Sequence, residues 1–413
     1  SFFLILSGIT LLVKRVPKIA KLLNIALNFA SVLLMLAVAG YLATKLSNSR
    51  TILSFQKNWN AKIEEQSITV EQNAPTKRDI YLIILDGYGS RKVLDEVYEY
   101  DNEWFEGELI ELGFHIIPNA RTNYNQTRTS FSSLLNMQHL DGVANEVGAF
   151  TTDAHPLIEM IQNNQVINRL RNEGYTIINF PSGYEYTEGI AADHQIKKGV
   201  YLDNFSQTLI WNSVAYPFVH SQLYNWHRST IVNSISGLSE LADYPSPRLV
   251  IAHVFAPHPP FVFDEAGNPI TPPYAFTAID ADTLIQNTSL EYYKTHYPNQ
   301  LEFVSKSVLE SIKAVIKNSE VKPIIILSGD HGPALTVSLT DVTSSSQYER
   351  MHILNALYLP KFDYSQISSD HTPVNTFRII FNEYFGDDME LLENRSYTSS
   401  HDHPYQFMEY KEE

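Results

Sequence analysis

Five short runs of nearly unbroken apolar residues constrain this chain more than any other feature: Ile80–Leu85, Tyr175–Phe180, Leu249–Phe255, Ile324–Leu327 and Ile353–Leu359. A strand with one wet face alternates polar and apolar side chains, so a run without alternation is a strand buried on both faces. Between the runs lie longer stretches of helical pattern, Asn102–Leu112, Pro156–Asn172 and Gln300–Asn318. In the last, Leu301, Val304, Val308, Ile312 and Val315 recur at helical spacing. Strands alternating with helices predict an α/β domain whose sheet is covered by helices. Ligands of such sheets bind beyond the carboxyl ends of the strands. The polar residues that follow each run are therefore the candidates for chemistry.

A second apolar feature has a different period. Leu22 to Thr44 is 23 residues without a charge. At about 1.5 Å per residue a helix of that length crosses the roughly 30 Å hydrocarbon core of a bilayer. Ser1 to Val13 is also apolar but too short to span, and reads as the tail of an earlier, truncated helix. Lys14, Arg15, Lys18 and Lys21 lie between the two. Short basic loops stay cytoplasmic, which predicts an integral membrane protein whose later residues face the periplasm or the exterior. The expected organisation is transmembrane segments over 1–46, a stalk and linker over 47–78 with a helix near Phe55–Glu65, and a catalytic domain over 79–413.

Charge separates these parts. Residues 1–50 hold six Lys or Arg and no acid, so of the net −16 the remainder carries −22. A domain that acidic repels nucleic-acid phosphates, and no nucleic-acid partner is expected. An anionic small substrate stays compatible if a bound cation inverts the local field. With no cysteine, disulfides, thiolate metal sites and cysteine nucleophiles are excluded.

Three segments carry candidate chemistry. The first run ends in Asp86-Gly87-Tyr88-Gly89, and the run at Ile324–Leu327 leads into Ser328-Gly329-Asp330-His331-Gly332. Carboxylates and an imidazole at strand ends suit a hard or borderline divalent cation. The third segment, Asn123 to Asn136, is rich in hydroxyls and enters a short apolar stretch. A hydroxyl there can serve as a nucleophile or as a helix cap.

Together these segments resemble the alkaline phosphatase and sulfatase superfamily. Its pattern is an early strand ending in Asp, a Thr, Ser or formylglycine nucleophile several dozen residues on, and a late Asp-His-Gly. The nucleophile precedes by six residues the serine of a Ser-Leu-Leu-Thr-like segment. Here that serine is Ser133 of Ser133-Leu134-Leu135-Asn136, and six residues back is Thr127. Ala256 to Asp264 is similar to the family's His-x-Pro-Phe substrate segment, and Arg350 to Pro360 and Pro373 to Arg378 continue the likeness. The resemblance implies a mixed, mostly parallel alkaline phosphatase-like sheet. It extends to membrane-anchored sulfatase-like relatives such as lipoteichoic acid synthases and phosphoethanolamine transferases.

By the same resemblance, Asp86, Thr127, Asp330 and His331 are expected to hold one divalent metal ion (Mn, Zn, Mg or Ca). Thr127 and His258 are the expected catalytic residues, with Asn123, Arg128 and His352 binding the anionic ester. No second-metal motif, Asp-x-x-x-His, is evident. Formylglycine enzymes start from Cys or Ser and place an Arg four residues later, where this chain has Phe131. The expected activity is therefore hydrolysis or transfer of phosphate esters of the cell envelope, with partners in the bilayer and in lipid- or glycan-linked esters. The alternatives are a sulfuric ester hydrolase and a non-catalytic glycan-binding domain. His253, inside an apolar run, is expected to be a core histidine, and His401 and His403 to lie on the surface.

Overall fold

The computed structural model of the chain describes residues 21–22, 25–36, 54–63, 77–200, 204–213, 216–274, 276, 281–338, 342 and 347–412. Two compact units are distinguished, Ser1–Lys57 and Asn58–Glu413. In the first, residues 25–36 are helical with exposed apolar side chains, among them Leu34 and Met35. Among the described residues no helix is long and apolar enough to cross a membrane. The rest of the expected span, its basic loop up to residue 20 and most of the linker fall outside the described residues. Residues 54–63 form a helix close to the one expected for the stalk.

The second unit is built on a seven-stranded sheet. Its strands are β1 (Ile80–Leu85), β2 (His115–Ile116), β3 (Thr176–Phe180), β4 (His194–Gln195), β5 (Arg248–Val254), β6 (Ile324–Gly329) and β7 (Asn355–Tyr358), in the order β2-β7-β6-β1-β5-β3-β4. β4, β3, β5, β1 and β6 run parallel to one another, and β7 is antiparallel to both β6 and β2. A mixed, mostly parallel sheet is thus observed.

The central strands β1 and β6 are buried along their whole length because helices cover both faces. Along β1, Tyr81, Ile83 and Leu85 enter one core cluster while Ile80, Leu82 and Ile84 enter another, as period-two geometry demands. The first cluster includes Val304, Val308 and Ile312 of the helix Leu290–Asn318. The second includes Phe131, Leu134 and Leu135 of the helix α1 (Thr127–Asn136).

Two elements differ from the sequence reading. The stretch Pro156–Asn172 is two helices, His155–Gln162 and Gln165–Asn172. Asn164 breaks it by accepting from the Ile167 amide at 2.8 Å, a side-chain cap that starts a new helix. The last helix begins ten residues earlier than expected, at Leu290, and carries Pro298 within it. A helix-breaking residue misdirected the reading of its start.

Register is what assembles the site. Leu85 pairs with Val254 on one side and with Gly329 on the other. The residues that follow these strands, Asp86, Phe255 and Asp330, therefore emerge side by side from the middle of the sheet.

Candidate metal and nucleophile site

Each strand-end side chain is aimed by a defined local cause. After β1 the chain turns through Gly87 at φ +75°, a left-handed conformation that favours glycine. The turn is held by Tyr297, whose hydroxyl accepts from the Gly89 amide at 3.2 Å and donates to the Gly87 carbonyl at 2.9 Å. The Gly87 amide and the His331 amide both donate to Asp330 Oδ1, at 3.1 and 2.9 Å. That fixes the carboxyl and leaves Oδ2 buried without a hydrogen-bond partner. Gly332 is required for a different reason: a Cβ there would lie 2.0 Å from the Glu349 carbonyl oxygen.

His331 donates from Nδ1 to the Gly332 carbonyl at 3.0 Å. Its Nε2 is therefore the acceptor nitrogen, lying 3.3 Å from Asp330 Oδ2 and 3.6 Å from Asp86 Oδ1. The Thr127 hydroxyl oxygen lies 3.1 Å from the same nitrogen. Asp86 Oδ1, like Asp330 Oδ2, is buried and has no hydrogen-bond partner. Burial alone would raise the Asp86 carboxyl, but nearby His258, the hydrogen bond from His253 and His331 hold it well below the usual carboxylate range. Burial first, then the Arg350 charge, pushes His331 down, so it stays neutral and able to bind through its lone pair.

The donor set fits a divalent cation. Two orphaned carboxylate oxygens converge on an imidazole nitrogen whose other nitrogen is anchored on a carbonyl, the usual arrangement behind a metal-binding histidine. Unmatched buried carboxylates are costly unless a cation meets them. Asp86, His253 and Asp330 each offer a ligand atom within 4.8 Å of the others.

His253 was expected to be a plain core residue. It is buried, but its Nε2 lies 3.2 Å from Asp86 Oδ2, and its Nδ1 lies 3.0 and 3.1 Å from the hydroxyls of Ser182 and Thr187. A sequence signal existed. On β5, His253 shares the face of Leu249 and Ile251, the face that packs on the helix of Thr127.

Thr127 opens α1, with Gln126 extended at the cap position. The positive end of the helix dipole therefore lies at its hydroxyl. The neighbouring hydroxyls are engaged elsewhere: Thr129 donates to the Gln126 carbonyl at 3.0 Å and Ser130 to the Tyr124 carbonyl at 2.6 Å. Thr127 lines a cavity of about 210 Å³ with Asp86, Arg128, His258 and Arg350, and one wall holds Tyr184, Tyr186 and Phe255. His258 donates from Nδ1 to the Pro259 carbonyl at 2.6 Å, which leaves Nε2 as its basic nitrogen. Gln300 braces this loop by donating to the carbonyls of Pro257 and His258, both at 3.2 Å.

The other expected ester-binding residues divide. Arg128 lines the cavity, donating to Gln126, to the Tyr186 hydroxyl and to the His401 carbonyl. Asn123 does not line it. Its amide donates to the Arg395 carbonyl and accepts from the Val374 amide, both at 2.8 Å, tying the C-terminal segment to the chain before α1. His352 also lies elsewhere, with Nε2 3.8 Å from Glu412 and its ring 4.5 Å from that of Tyr348. Burial pushes it down to about 4. His401 is exposed as expected, but at the edge of the cavity. Arg350, which sequence reading passed over as a site residue, is buried in the cavity wall. No motif marks it.

No protein-family profile matches the chain, and no curated protein does. Solved structures do. The chain is similar to the C-terminal periplasmic domain of EcEptC from Escherichia coli in complex with Zn, with TM-score 0.52 and 13% identity over 82% of this chain and 94% of that one. The soluble domain of lipooligosaccharide phosphoethanolamine transferase A from Neisseria meningitidis gives TM-score 0.46 and 13% identity over 76% and 90%. A putative sulfatase from Bacteroides thetaiotaomicron gives 0.46 and 13% over 80% and 75%. The chain thus shares the fold of that EcEptC periplasmic domain.

Proposed function

We propose that the chain is a membrane-anchored, metal-dependent hydrolase or transferase of phosphate esters of the cell envelope, with Thr127 as its nucleophile. The observation that carries the reading is the Thr127 hydroxyl, 3.1 Å from His331 Nε2 in a cavity shared with Asp86. Asp86, Thr127, Asp330 and His331 would hold the cation, which, when bound, lowers the pKa of the hydroxyl and offsets charge on the phosphoryl oxygens.

The chain's own residues do the rest. The Thr127 oxygen, its proton released to solvent, bonds to phosphorus as the bond to the leaving oxygen breaks. His258, in its imidazolium form, gives its Nε2 proton to that oxygen. Water or an acceptor alcohol then attacks the phosphothreonine, neutral His258 Nε2 taking its proton as the bond from phosphorus to the Thr127 oxygen breaks. Arg128 offers positive charge at the mouth of the cavity. The aromatic wall of Tyr184, Tyr186 and Phe255 supplies an apolar surface for the organic part of the ester. The uncharged stretch Leu22–Thr44 and the basic residues before it support the anchor, with the catalytic unit outside the cytoplasm.

Mass spectrometry of the chain quenched during turnover of a phosphodiester tests the nucleophile. An adduct is expected on Thr127. One on Thr129 or Ser130, or undiminished turnover in Thr127→Ala, overturns it. Single cysteines introduced after residue 78 test the topology. They should react with an impermeant thiol reagent in intact spheroplasts, and reaction only after lysis would refute the orientation.

A further inference from the structure

Arg350 sits 3% exposed in the cavity wall, and nothing in the proposed mechanism has yet used it. Its guanidinium is fixed on two sides: Nε donates to the Asn125 carbonyl at 2.9 Å and Nη1 to the Gly332 carbonyl at 3.2 Å. On the third side Nη2 donates to His331 Nε2 at 3.0 Å. These three partners are neutral. The third is also the ring nitrogen that lies within 3.6 Å of both orphaned carboxylate oxygens. Because His331 Nδ1 is committed to the Gly332 carbonyl, Nε2 has the ring's only accepting lone pair. One lone pair cannot serve both an arginine N–H and a metal ion.

From this we infer that Arg350 is an anion-binding residue coupled to the metal site: a cation taking His331 Nε2 turns the Nη2 hydrogens over to the oxygens of a phosphate group in the same cavity. The two carbonyl anchors hold the guanidinium in place during the exchange, so little rearrangement is needed. The planar fork of arginine matches two oxygens of a phosphate group. Cation and anion then bind cooperatively, each favouring the state that the other favours. The inference rests on the phosphate-ester reading of the site and adds to it the residue that receives the phosphoryl oxygens and the order in which the site becomes competent.

Calorimetric titration of the full chain with Zn²⁺ and with inorganic phosphate tests it. Phosphate should bind the Zn²⁺-loaded chain about tenfold or more tighter than the metal-free chain. In Arg350→Gln that ratio should fall towards one through weaker phosphate binding to the loaded form. Zn²⁺ should bind the variant as tightly as the parent or more tightly, because its competitor for Nε2 is gone. Retained Zn²⁺ binding also shows that the variant is folded at the site. Arg350→Lys, which keeps the charge without the fork, should recover only part of the phosphate affinity. Unchanged phosphate binding in Arg350→Gln overturns the inference and leaves the proposed function standing. So does loss of Zn²⁺ binding, since the guanidinium would then support the ligand rather than compete for it. If the parent chain binds none of Zn²⁺, Mn²⁺, Mg²⁺ and Ca²⁺, both fall together.

Discussion

Strand β1 is flanked by two aspartates, and they are treated in opposite ways. Asp79, at its amino end, is fully matched: Oδ2 accepts from Arg248 Nε at 2.7 Å and from Ser246 at 3.1 Å, and Oδ1 from the Arg248 amide at 3.1 Å. Asp86, at the carboxyl end, has one oxygen on His253 and the other buried without a partner. The same residue type on the same strand thus closes an ion pair at one end of the sheet and leaves an open valence at the other. A charge matched by the protein holds the fold. A charge left unmatched in the interior costs stability until a cation arrives, and that is how a site declares itself.

The comparison breaks most visibly in turnover. Thr127→Ala and Asp86→Asn should each lower phosphate-ester turnover by about 10³-fold or more, whereas Asp79→Asn should leave turnover per folded molecule unchanged. Equal losses at the two aspartates would erase the distinction.

Metal linkage is the next largest effect. With a cation present at about a hundred times its dissociation constant, binding adds about 2.7 kcal/mol to the folded state. A chelator should therefore lower the melting temperature of the parent chain and of Asp79→Asn, and leave that of Asp86→Asn unmoved.

Asp79→Asn has its own signature. Arg248 then loses its carboxylate partner at a site where both side chains are mostly buried. Chemical denaturation should show a loss of roughly 1–3 kcal/mol that no added metal restores selectively.

The smallest effect sharpens the rule with a group outside the metal set. His227 Nε2 is buried without a partner, and its ring lies 5.8 Å from that of Phe255 and 5.6 Å from that of Phe276. Burial, with His258 and Arg228 nearby, pushes it down to about 3 from 6.5. Below pH 6.5 the unfolded chain takes a proton there that the native chain refuses, so stability falls as the pH drops towards 3. His352 and His371, both held at about 4, act with the same sign over a narrower window. His227→Phe should keep the ring contacts and flatten the decline by up to about 1.4 kcal/mol per pH unit between roughly pH 6 and 4. An unchanged slope would show that His227 is not held neutral.

Much of this was legible beforehand, and the misplaced site residues share one cause. Runs such as Ile80–Leu85 and Ile324–Leu327 announced buried strands because period and composition are written within a few consecutive residues. The strand-end placement of Asp86 and Asp330 followed from that. The family resemblance, through the offset to Ser133, singled out Thr127, and the structure brings all three together with His331. Asn123 looked like a ligand because it stands beside Thr127 in sequence, yet its amide holds Val374 and Arg395.

What the sequence by itself determined, then, was the buried central strands and the chemical character of their ends. Which side chains meet was decided by tertiary structure. His253 reaches Asp86 because parallel pairing sets residue 253 beside residue 84, and Arg350 reaches His331 through the short helix Tyr348–Met351 that precedes β7. The physical reason is range. Secondary structure follows from interactions over a few residues, while a site at the carboxyl ends of a sheet joins residues more than two hundred positions apart. Register and crossover alone fix those encounters.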